Sequence, residues 1–308
     1  MRDSESSSLR ESDNTGERSV VDISRLQKSL RRPRTAFNYF MNFTTSVLTL
    51  LALVPLFSVM TMLVVKGSKR LSINMFTQLP PTAFEHGGGF GNAIVGTLLI
   101  VGIATLISVP FGILTSIYLA EIAPLSKLAS FVRTCAKLLT GLPSILAGVF
   151  AYGSVVLVTG GFSAIAGGVA LSILMIPTVI LTAEEAIVMV SPRIKEAAVG
   201  MGTTPMQTVM MVLLPTAFPG ILTGVMLAVA RAAGETAPLI FTALFSNYWI
   251  RLHEHFGLLQ PTASLAVLIY NFSAMPFQNQ IELAWAAALV LVLLVLTINL
   301  IGQSFSRK

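Results

Sequence analysis

Residues 138–183 constrain the fold of this chain most, because they contain no charged side chain. A helix that crosses a bilayer needs about 20 apolar residues, so this stretch is too long for one span. The turn-forming sequence Thr159-Gly160-Gly161 divides it into two spans. Charged residues make up 11% of the whole chain, against about 25% in a soluble domain. The chain is therefore predicted to lie mostly within a membrane.

Other apolar stretches bring the prediction to an all-α, polytopic protein with about six transmembrane helices. They are residues 44–65, 92–120, 216–245 and 283–301. By contrast, residues 1–38 are polar, Ser-rich and mixed in charge, and such a segment cannot bury enough apolar surface to fold alone. We expect a disordered cytoplasmic tail at residues 1–38 and a transmembrane domain at residues 39–305.

The distribution of basic residues predicts the orientation of the spans. With a cytoplasmic N-terminus, fifteen of the twenty Lys and Arg residues fall on the cytoplasmic side and four on the outside. Because cytoplasmic loops carry an excess of Lys and Arg, both termini are predicted to be cytoplasmic. The cluster of Lys66, Lys69 and Arg70 is the one outside group that argues against this orientation.

A spaced pattern follows the fourth span. It reads Glu196-Ala197-Ala198, three residues, Gly202, nine residues, Val212, one residue, and Leu214-Pro215. Residues 194–201 are predicted to form a short helix that Gly202 ends. Thr203-Thr204-Pro205 then starts a new helix, with threonine as the cap and proline in the first turn. The small side chains of this loop would let another protein approach closely.

This pattern resembles the EAA loop of ABC-importer permeases, with Val212 where isoleucine is usual. The resemblance implies that residues 192–215, called the EAA loop below, form a coupling helix that docks on an ATP-binding subunit. The residues of the loop that carry this role are then Glu196, Ala197, Ala198, Gly202, Leu214 and Pro215.

Further sequences extend the resemblance over residues 40–305. They are Thr140-Gly-Leu-Pro143-Ser144, Ile176-Pro177-Thr178 with Glu184-Glu185-Ala186, Ala230-Arg231-Ala-Ala-Gly234-Glu235-Thr236-Ala237-Pro238-Leu239, and Ala284-Trp285-Ala-Ala-Ala-Leu289. They are similar to the PstA-type permeases of phosphate ABC importers, which implies a type I ABC importer permease fold and translocation of inorganic phosphate. It also implies a PstC-type second permease, a dimer of PstB-type ATP-binding subunits and a PstS-type extracytoplasmic phosphate-binding protein as partners.

The same resemblance implies a multi-pass protein of the bacterial cytoplasmic (inner) membrane, in contact with membrane lipids and not with nucleic acid. Three alternatives stay open. One is a permease for another oxyanion, sulfate or molybdate. The second is an ion-coupled secondary transporter, although no internal repeat of the kind such transporters show is visible. The third is a membrane scaffold or sensor that signals nutrient state.

Two charged side chains, Arg231 and Glu235, interrupt the apolar stretch 216–245. Their spacing of four residues would place them on one helix face. One interpretation is a mutual ion pair that only lowers the insertion cost of the two charges. The other is a site in the translocation pathway or gate, since an arginine fork suits phosphate oxygens and intramembrane charges mark ion pathways. We favour the second interpretation.

The sequence gives no sign of chemistry within the chain. No GxxxxGK[ST] pattern occurs, so the chain is not expected to hydrolyse ATP itself. His253-Glu254-His255 does not complete an HExxH pattern, because position 257 is glycine and not histidine. No cofactor, metal site or catalytic residue is expected. Residues 87–91 are interpreted as a flexible glycine-rich loop, and Gly220-Ile-Leu-Thr-Gly224 as a helix contact within the subunit. Glu184 and Glu185 are expected to pair with Lys195 or the ATP-binding subunit, or to lie at a solvated helix end.

Overall fold

The computed structural model describes residues 33–250 and 257–306. The predicted tail, up to residue 32, and His253-Glu254-His255 lie outside the described residues. All regular structure in the described part is helical. The helices are α1 Pro33–Ser68, α2 Asn74–Thr77, α3 Gly91–Ile117, α4 Lys127–Thr140, α5 Ser144–Ala151, α6 Leu157–Thr159, α7 Ala164–Val188, α8 Pro192–Gly200, α9 Pro205–Gln207, α10 Leu214–Gly234, α11 Ala237–Ile240, α12 Leu265–Ser273 and α13 Gln278–Ser306.

Three π-helical turns join some of these helices into longer units. Tyr118–Ile122 extends α3, Tyr152–Val156 joins α5 to α6, and Thr208–Leu213 joins α9 to α10. Hydroxyl caps start several helices: the Ser126 Oγ accepts from the Ala129 N–H at the start of α4. Ser163 starts α7 in the same way, because a side-chain oxygen satisfies a backbone donor that has no partner within the helix.

Five helical units in the described part of the chain are long and apolar enough to cross a membrane. They are Thr35–Ser68, Gly91–Ile122, Ala164–Val188, Pro205–Gly234 and Gln278–Phe305. A sixth arises if Lys127–Thr140 and Ser144–Thr159, which meet at 106°, are counted as one bent span. The all-α fold with about six spans is therefore confirmed. The bend lies at the Gly-Leu-Pro sequence of residues 141–143, which was not predicted.

Helix α7 is the centre of the core, and small residues bring its neighbours close. A Cβ on Gly112 of α3 would lie 2.6 Å from the Val179 side chain, and one on Gly168 would lie 2.4 Å from Ile103. Gly224 of α10 faces Thr182 in the same manner, at 2.2 Å. The predicted role of the Gly220–Gly224 pattern, a helix contact within the subunit, is confirmed.

Two segments differ from the sequence-based expectation. The fifth span ends at Gly234 rather than at residue 245, because the chain leaves the helix and turns into α11. Helix α12 was not predicted; its Leu265 and Leu268 are fully buried beside Leu283 of α13. At nine residues it is too short to register as a span.

The end of the glycine-rich segment before α3 packs closely against α2. The Phe90 N–H donates to the Met75 carbonyl at 2.9 Å, and a Cβ on Gly89 would lie 2.4 Å from that same oxygen. A Cβ on Gly91 would lie 2.2 Å from the Phe76 carbonyl oxygen. These glycines therefore permit a close approach between the segment and the short helix α2.

The chain divides into two compact units, Met1–Ser58 and Val59–Lys308. The described part of the first unit belongs to α1, which begins at Pro33 and not at residue 39, and includes Pro55 within the helix. Its apolar side chains are exposed on all sides, as at Phe40 and Phe57. The second unit holds the core described above and the EAA loop.

Candidate functional site: the EAA loop and the end of helix α10

The EAA loop consists of a short helix, a turn at a glycine and the start of a second helix. Helix α8 begins with Pro192 in its first turn and ends at Gly200. The turn is closed at Gly202, whose φ of +86° falls in the left-handed region and whose N–H donates to the Val199 carbonyl at 2.9 Å. Only glycine adopts this conformation without a steric cost, so the predicted end of the helix at Gly202 is confirmed in place and cause.

The second helix starts with a capping box at Thr204. The Gln207 N–H donates to the Thr204 hydroxyl oxygen at 3.3 Å, and the Thr204 N–H donates to Gln207 Oε1 at 2.9 Å. Thr203 connects the two helices, because its hydroxyl donates to the Ala198 carbonyl at 2.9 Å and lies 2.8 Å from the Thr208 hydroxyl. The loop is therefore held by its own hydrogen bonds.

The predicted loop residues fall into two groups. Glu196, Ala197 and Gly202 are exposed, whereas Ala198 is buried beneath them. Leu214 and Pro215 lie apart, beyond the π-turn at the start of α10. They line a cavity of about 580 Å³ together with side chains of α3 and α10. The exposed face of the loop therefore includes α8 and the glycine turn and continues into residues 204–207.

Arg231 and Glu235 lie at the end of α10 rather than within a continuous span. Arg231 is in the last turn, and Glu235 follows the helix with an extended backbone, φ −73° and ψ 126°. The Arg231 Nε lies 3.4 Å from the Glu235 Oε1, with the Arg231 side chain 46% exposed and that of Glu235 17% exposed. The ion pair exists, but the two residues do not share a helix face as the spacing suggested.

The end of helix α10 and the turn into α11 are fixed by contacts with two other helices. A Cβ on Gly148 of α5 would lie 2.6 Å from the Pro238 Cα, so α11 presses closely against that helix. The Ser163 N–H at the start of α7 donates to the Thr242 carbonyl at 2.9 Å. The segment that carries Glu235 is therefore held in place, which gives Arg231 a fixed partner at the favourable end of the helix dipole.

Comparison with known proteins decides the family. Residues 108–308 match the family model described as "Binding-protein-dependent transport system inner membrane component". This chain belongs to that family of transport permeases. The permease is 42% identical to the phosphate transport system permease protein PstA of Haemophilus influenzae, covering 79% of this chain and 84% of the relative. It is 37% identical to the PstA protein of Yersinia pestis, covering 94% and 95%.

Solved structures share the fold of the permease. A bacterial alginate ABC transporter in complex with a pentasaccharide-bound periplasmic protein has a chain that matches with a TM-score of 0.61 and 16% identity, covering 89% of this chain and 96% of that chain. The MetNI methionine ABC transporter, in an inward-facing conformation, matches with a TM-score of 0.54 and 22% identity, covering 70% and 92%. The permease therefore has the type I ABC importer permease fold.

The ion pairs of the permease differ from those expected. Glu184 forms its salt bridge with Arg133 of α4, and Lys195 of α8 forms one with Glu121 in the π-turn after α3. The sequence had suggested a contact between Glu184 or Glu185 and Lys195. Such pairs depend on which helix ends are neighbours in space, and the sequence signal for Glu121, a lone charge at the end of an apolar stretch, gives no partner.

No group of three or more His, Cys, Asp or Glu side chains that could hold a metal ion occurs within residues 33–250 and 257–306. The basic cluster of Lys66, Lys69 and Arg70 is partly paired. Lys66 Nζ lies 4.9 Å from the centre of the Trp285 ring, a cation–π contact. Arg70 donates to Asn279 and lies 3.9 Å from Glu282.

Proposed function

We propose that this chain is the membrane-spanning permease subunit of an ATP-driven importer that carries inorganic phosphate into the cell. The observation that carries the proposal is the EAA loop, with its exposed Glu196 and Ala197 and its closed turn at Gly202. Phosphate as the substrate is supported by the relatives named as phosphate transport system permeases, whose length this chain covers almost fully.

The importer would contain partners that complete what this chain lacks. Its sequence has no phosphate-binding loop for ATP, so a dimer of PstB-type ATP-binding subunits would dock at the EAA loop. A PstC-type permease would complete the pathway, and a PstS-type binding protein would deliver phosphate from outside. This chain would not be an enzyme by itself and would bind no cofactor.

The proposed orientation places both termini and the EAA loop on the cytoplasmic side of the bacterial inner membrane. It is supported by the excess of Lys and Arg in the segments on that side. ATP binding would close the ATP-binding dimer and displace α8, and the displacement would open the pathway outward. Arg231, held by Glu235, would attract the phosphate anion as it passes.

Uptake by the reconstituted complex tests the function. The chain and its three partners are placed in liposomes, and entry of radioactive phosphate is measured with and without ATP, supplied inside or outside the liposomes. The measurement with ATP is repeated in the presence of excess sulfate or molybdate. We expect ATP-dependent uptake that neither oxyanion suppresses. Uptake without ATP would favour a secondary transporter, and suppression by sulfate or molybdate would favour the other oxyanion permease.

Arg231 is tested in the same system. Replacing its charge, Arg231→Gln, should lower phosphate uptake about tenfold or more while the complex still assembles, because a charge-assisted hydrogen bond to the anion is lost. The matched control is Arg70→Gln, an arginine that also faces a glutamate but lies away from α10. Full uptake by the Arg231→Gln complex would remove this residue from the pathway.

A further inference from the structure

The EAA loop and helix α3 face each other across a cavity, and one salt bridge joins them. The cavity has a volume of about 580 Å³ and is lined by Leu114 and Ile117 from the α3 side and by Val199, Met206 and Val209 from the loop. Lys195 and Glu121 also line it, and their charged groups are in direct contact. Because the cavity separates the two elements, the salt bridge is a direct link between them.

The two partners of this salt bridge are placed differently. The Glu121 side chain is 13% exposed, whereas Lys195 on α8 is 47% exposed. A carboxylate that is mostly removed from water depends on its partner, so a displacement of Lys195 removes a favourable interaction of Glu121. Lys195 moves with α8, and Glu121 moves with the end of α3.

Glu121 lies on a turn that is itself tied to the core. Arg133 of α4 donates to the Leu119 carbonyl at 2.6 Å and to the Pro124 carbonyl at 2.9 Å, on either side of Glu121. The same guanidinium forms the salt bridge to Glu184 of α7. Two salt bridges, connected through the backbone on either side of Glu121, therefore run from α8 through the end of α3 to the central helix.

The backbone at the Glu121 end of the link is π-helical, and a second π-helical turn joins the EAA loop to α10. Glu121 belongs to the turn Tyr118–Ile122, and the loop returns to the membrane helix through the turn Thr208–Leu213. A π-turn contains an extra residue and is found frequently at functional sites. Helix α10 is connected to the loop directly through the chain, whereas α3 is connected to the loop by the salt bridge.

We propose that Lys195 is a positioning residue that passes the displacement of the EAA loop to helix α3 through Glu121. The salt bridge makes α3 follow α8 when an ATP-binding subunit moves the loop, so that two spans respond together. This inference rests on the proposed function, since it requires that the loop docks on an ATP-driven partner. It adds a second route by which ATP hydrolysis is coupled to transport.

The test uses the complete four-component importer in liposomes and measures phosphate carried per ATP hydrolysed. Charge reversals Lys195→Glu and Glu121→Lys are compared with the double exchange. A salt bridge of this exposure corresponds to about a two- to fivefold change in an equilibrium. We expect each single reversal to lower the phosphate carried per ATP by about that factor, and the double exchange to restore it.

Two substitutions that each remove one carboxylate charge provide the matched control. Glu121→Gln should lower phosphate carried per ATP, whereas Glu282→Gln, which removes the carboxylate of the Arg70–Glu282 pair on α13, should not. Melting temperature and co-purification of the ATP-binding subunit are measured for every variant. A purely structural salt bridge would change the melting temperature without changing the phosphate carried per ATP.

Three results would overturn the inference. The first is that both single reversals carry as much phosphate per ATP as the unaltered complex. The second is that the double exchange carries no more phosphate per ATP than the worse single variant. The third is that the Lys195→Glu variant no longer co-purifies with the ATP-binding subunit. The last would mean that Lys195 contacts the partner directly. Failure of the proposed function is a separate result, since the unaltered complex would then show no ATP-dependent uptake of phosphate.

Discussion

At the scale of single residues, Gly202 makes the clearest prediction. Its φ of +86° costs a residue with a Cβ about 1–2 kcal/mol, although a Cβ would meet no atom within 4 Å. Gly202→Ala should therefore weaken binding of the ATP-binding subunit about five- to thirtyfold, measured by titration of that subunit onto the permease in nanodiscs.

The control for Gly202 is two residues away. Gly200 also has open space around its Cα, but it lies in α8 without a positive φ. Gly200→Ala should leave binding of the ATP-binding subunit unchanged, because alanine is the better helix former. Equal effects of the two substitutions would show that backbone conformation is not what Gly202 contributes.

Glu85, in the segment between α2 and α3, makes a prediction about pH. The Thr82 N–H and then the Thr82 hydroxyl donate to its carboxylate, at 2.7 and 3.0 Å, and hold the pKa of Glu85 below its usual value of 4.5. Since the pKa is lowered, the carboxylate stabilises this turn above pH 4.5, and that stabilisation is lost as pH falls through the lowered pKa.

A carboxyl-carbon NMR titration of Glu85 in the labelled protein measures this shift. The Thr82→Val variant keeps the backbone donor and loses the hydroxyl, so the pKa of Glu85 should rise part of the way towards 4.5. An identical titration in both proteins would contradict the contribution of the Thr82 hydroxyl.

At the scale of helices, the contact between α10 and α7 is the most sensitive to an added methyl group. A Cβ on Gly224 would lie 2.2 Å from the Thr182 Oγ1 and 2.5 Å from the Thr182 Cβ, so rotation of that side chain alone does not relieve the contact. Gly224→Ala should lower the free energy of unfolding by about 1–3 kcal/mol, measured by thermal or denaturant unfolding in detergent.

Gly102 of α3 provides the comparison for Gly224. It also lies within a membrane-spanning helix, but a Cβ there would meet no atom within 4 Å. Gly102→Ala should be neutral or slightly stabilising by the same measurement. If Gly224→Ala were equally harmless, the close packing of α10 on α7 would not be what the GxxxG pattern provides.

What the sequence could predict at this scale follows from how local each signal is. The turn at Gly202 and the cap at Thr204 were predictable, because both depend on neighbouring residues in the chain. The end of α10 was misplaced, because hydropathy continues past Gly234 while the break is fixed by contacts of Pro238 and Thr242 with other helices. Helix α12 was missed for a related reason, since its burial is supplied by α13 and α3.

The charged pairs show the same limit within the candidate site. Arg231 and Glu235 form the ion pair that their four-residue spacing suggested, although Glu235 lies beyond the end of the helix and not on its face. Lys195 and Glu121 are separated by a large part of the chain, and their contact follows from the packing of α3, α7 and α10. The fold class and the loop could therefore be predicted from sequence, whereas the connection between the loop and the spans could not.

At the scale of the whole molecule, the orientation in the membrane is open to a direct measurement. The chain has one cysteine, the half-buried Cys135, and Cys135→Ser gives a background for single-cysteine labelling. A membrane-impermeant maleimide should label the Lys69→Cys variant in intact cells, and the Glu196→Cys variant only after permeabilisation. Both positions are exposed.

Labelling of the Glu196→Cys variant in intact cells would contradict a cytoplasmic EAA loop and, with it, docking of a cytoplasmic ATP-binding subunit. Labelling at Lys69 from the inside alone would place Lys66, Lys69 and Arg70 on the cytoplasmic side with the other basic segments. Either result would reverse the proposed orientation without affecting the fold.

The π-turn Thr208–Leu213 joins the start of the second loop helix to α10. Each residue of an α-helix advances the chain by about 100° around the helix axis, whereas a π-turn is wider and fits one residue more into a turn. One residue removed from this turn would therefore return it to α-helix and leave the two sides in nearly the same rotational relation. The permease can lose a residue here and still present Glu196 and Ala197 in the same direction, whereas a deletion within α10 would turn them by about 100°.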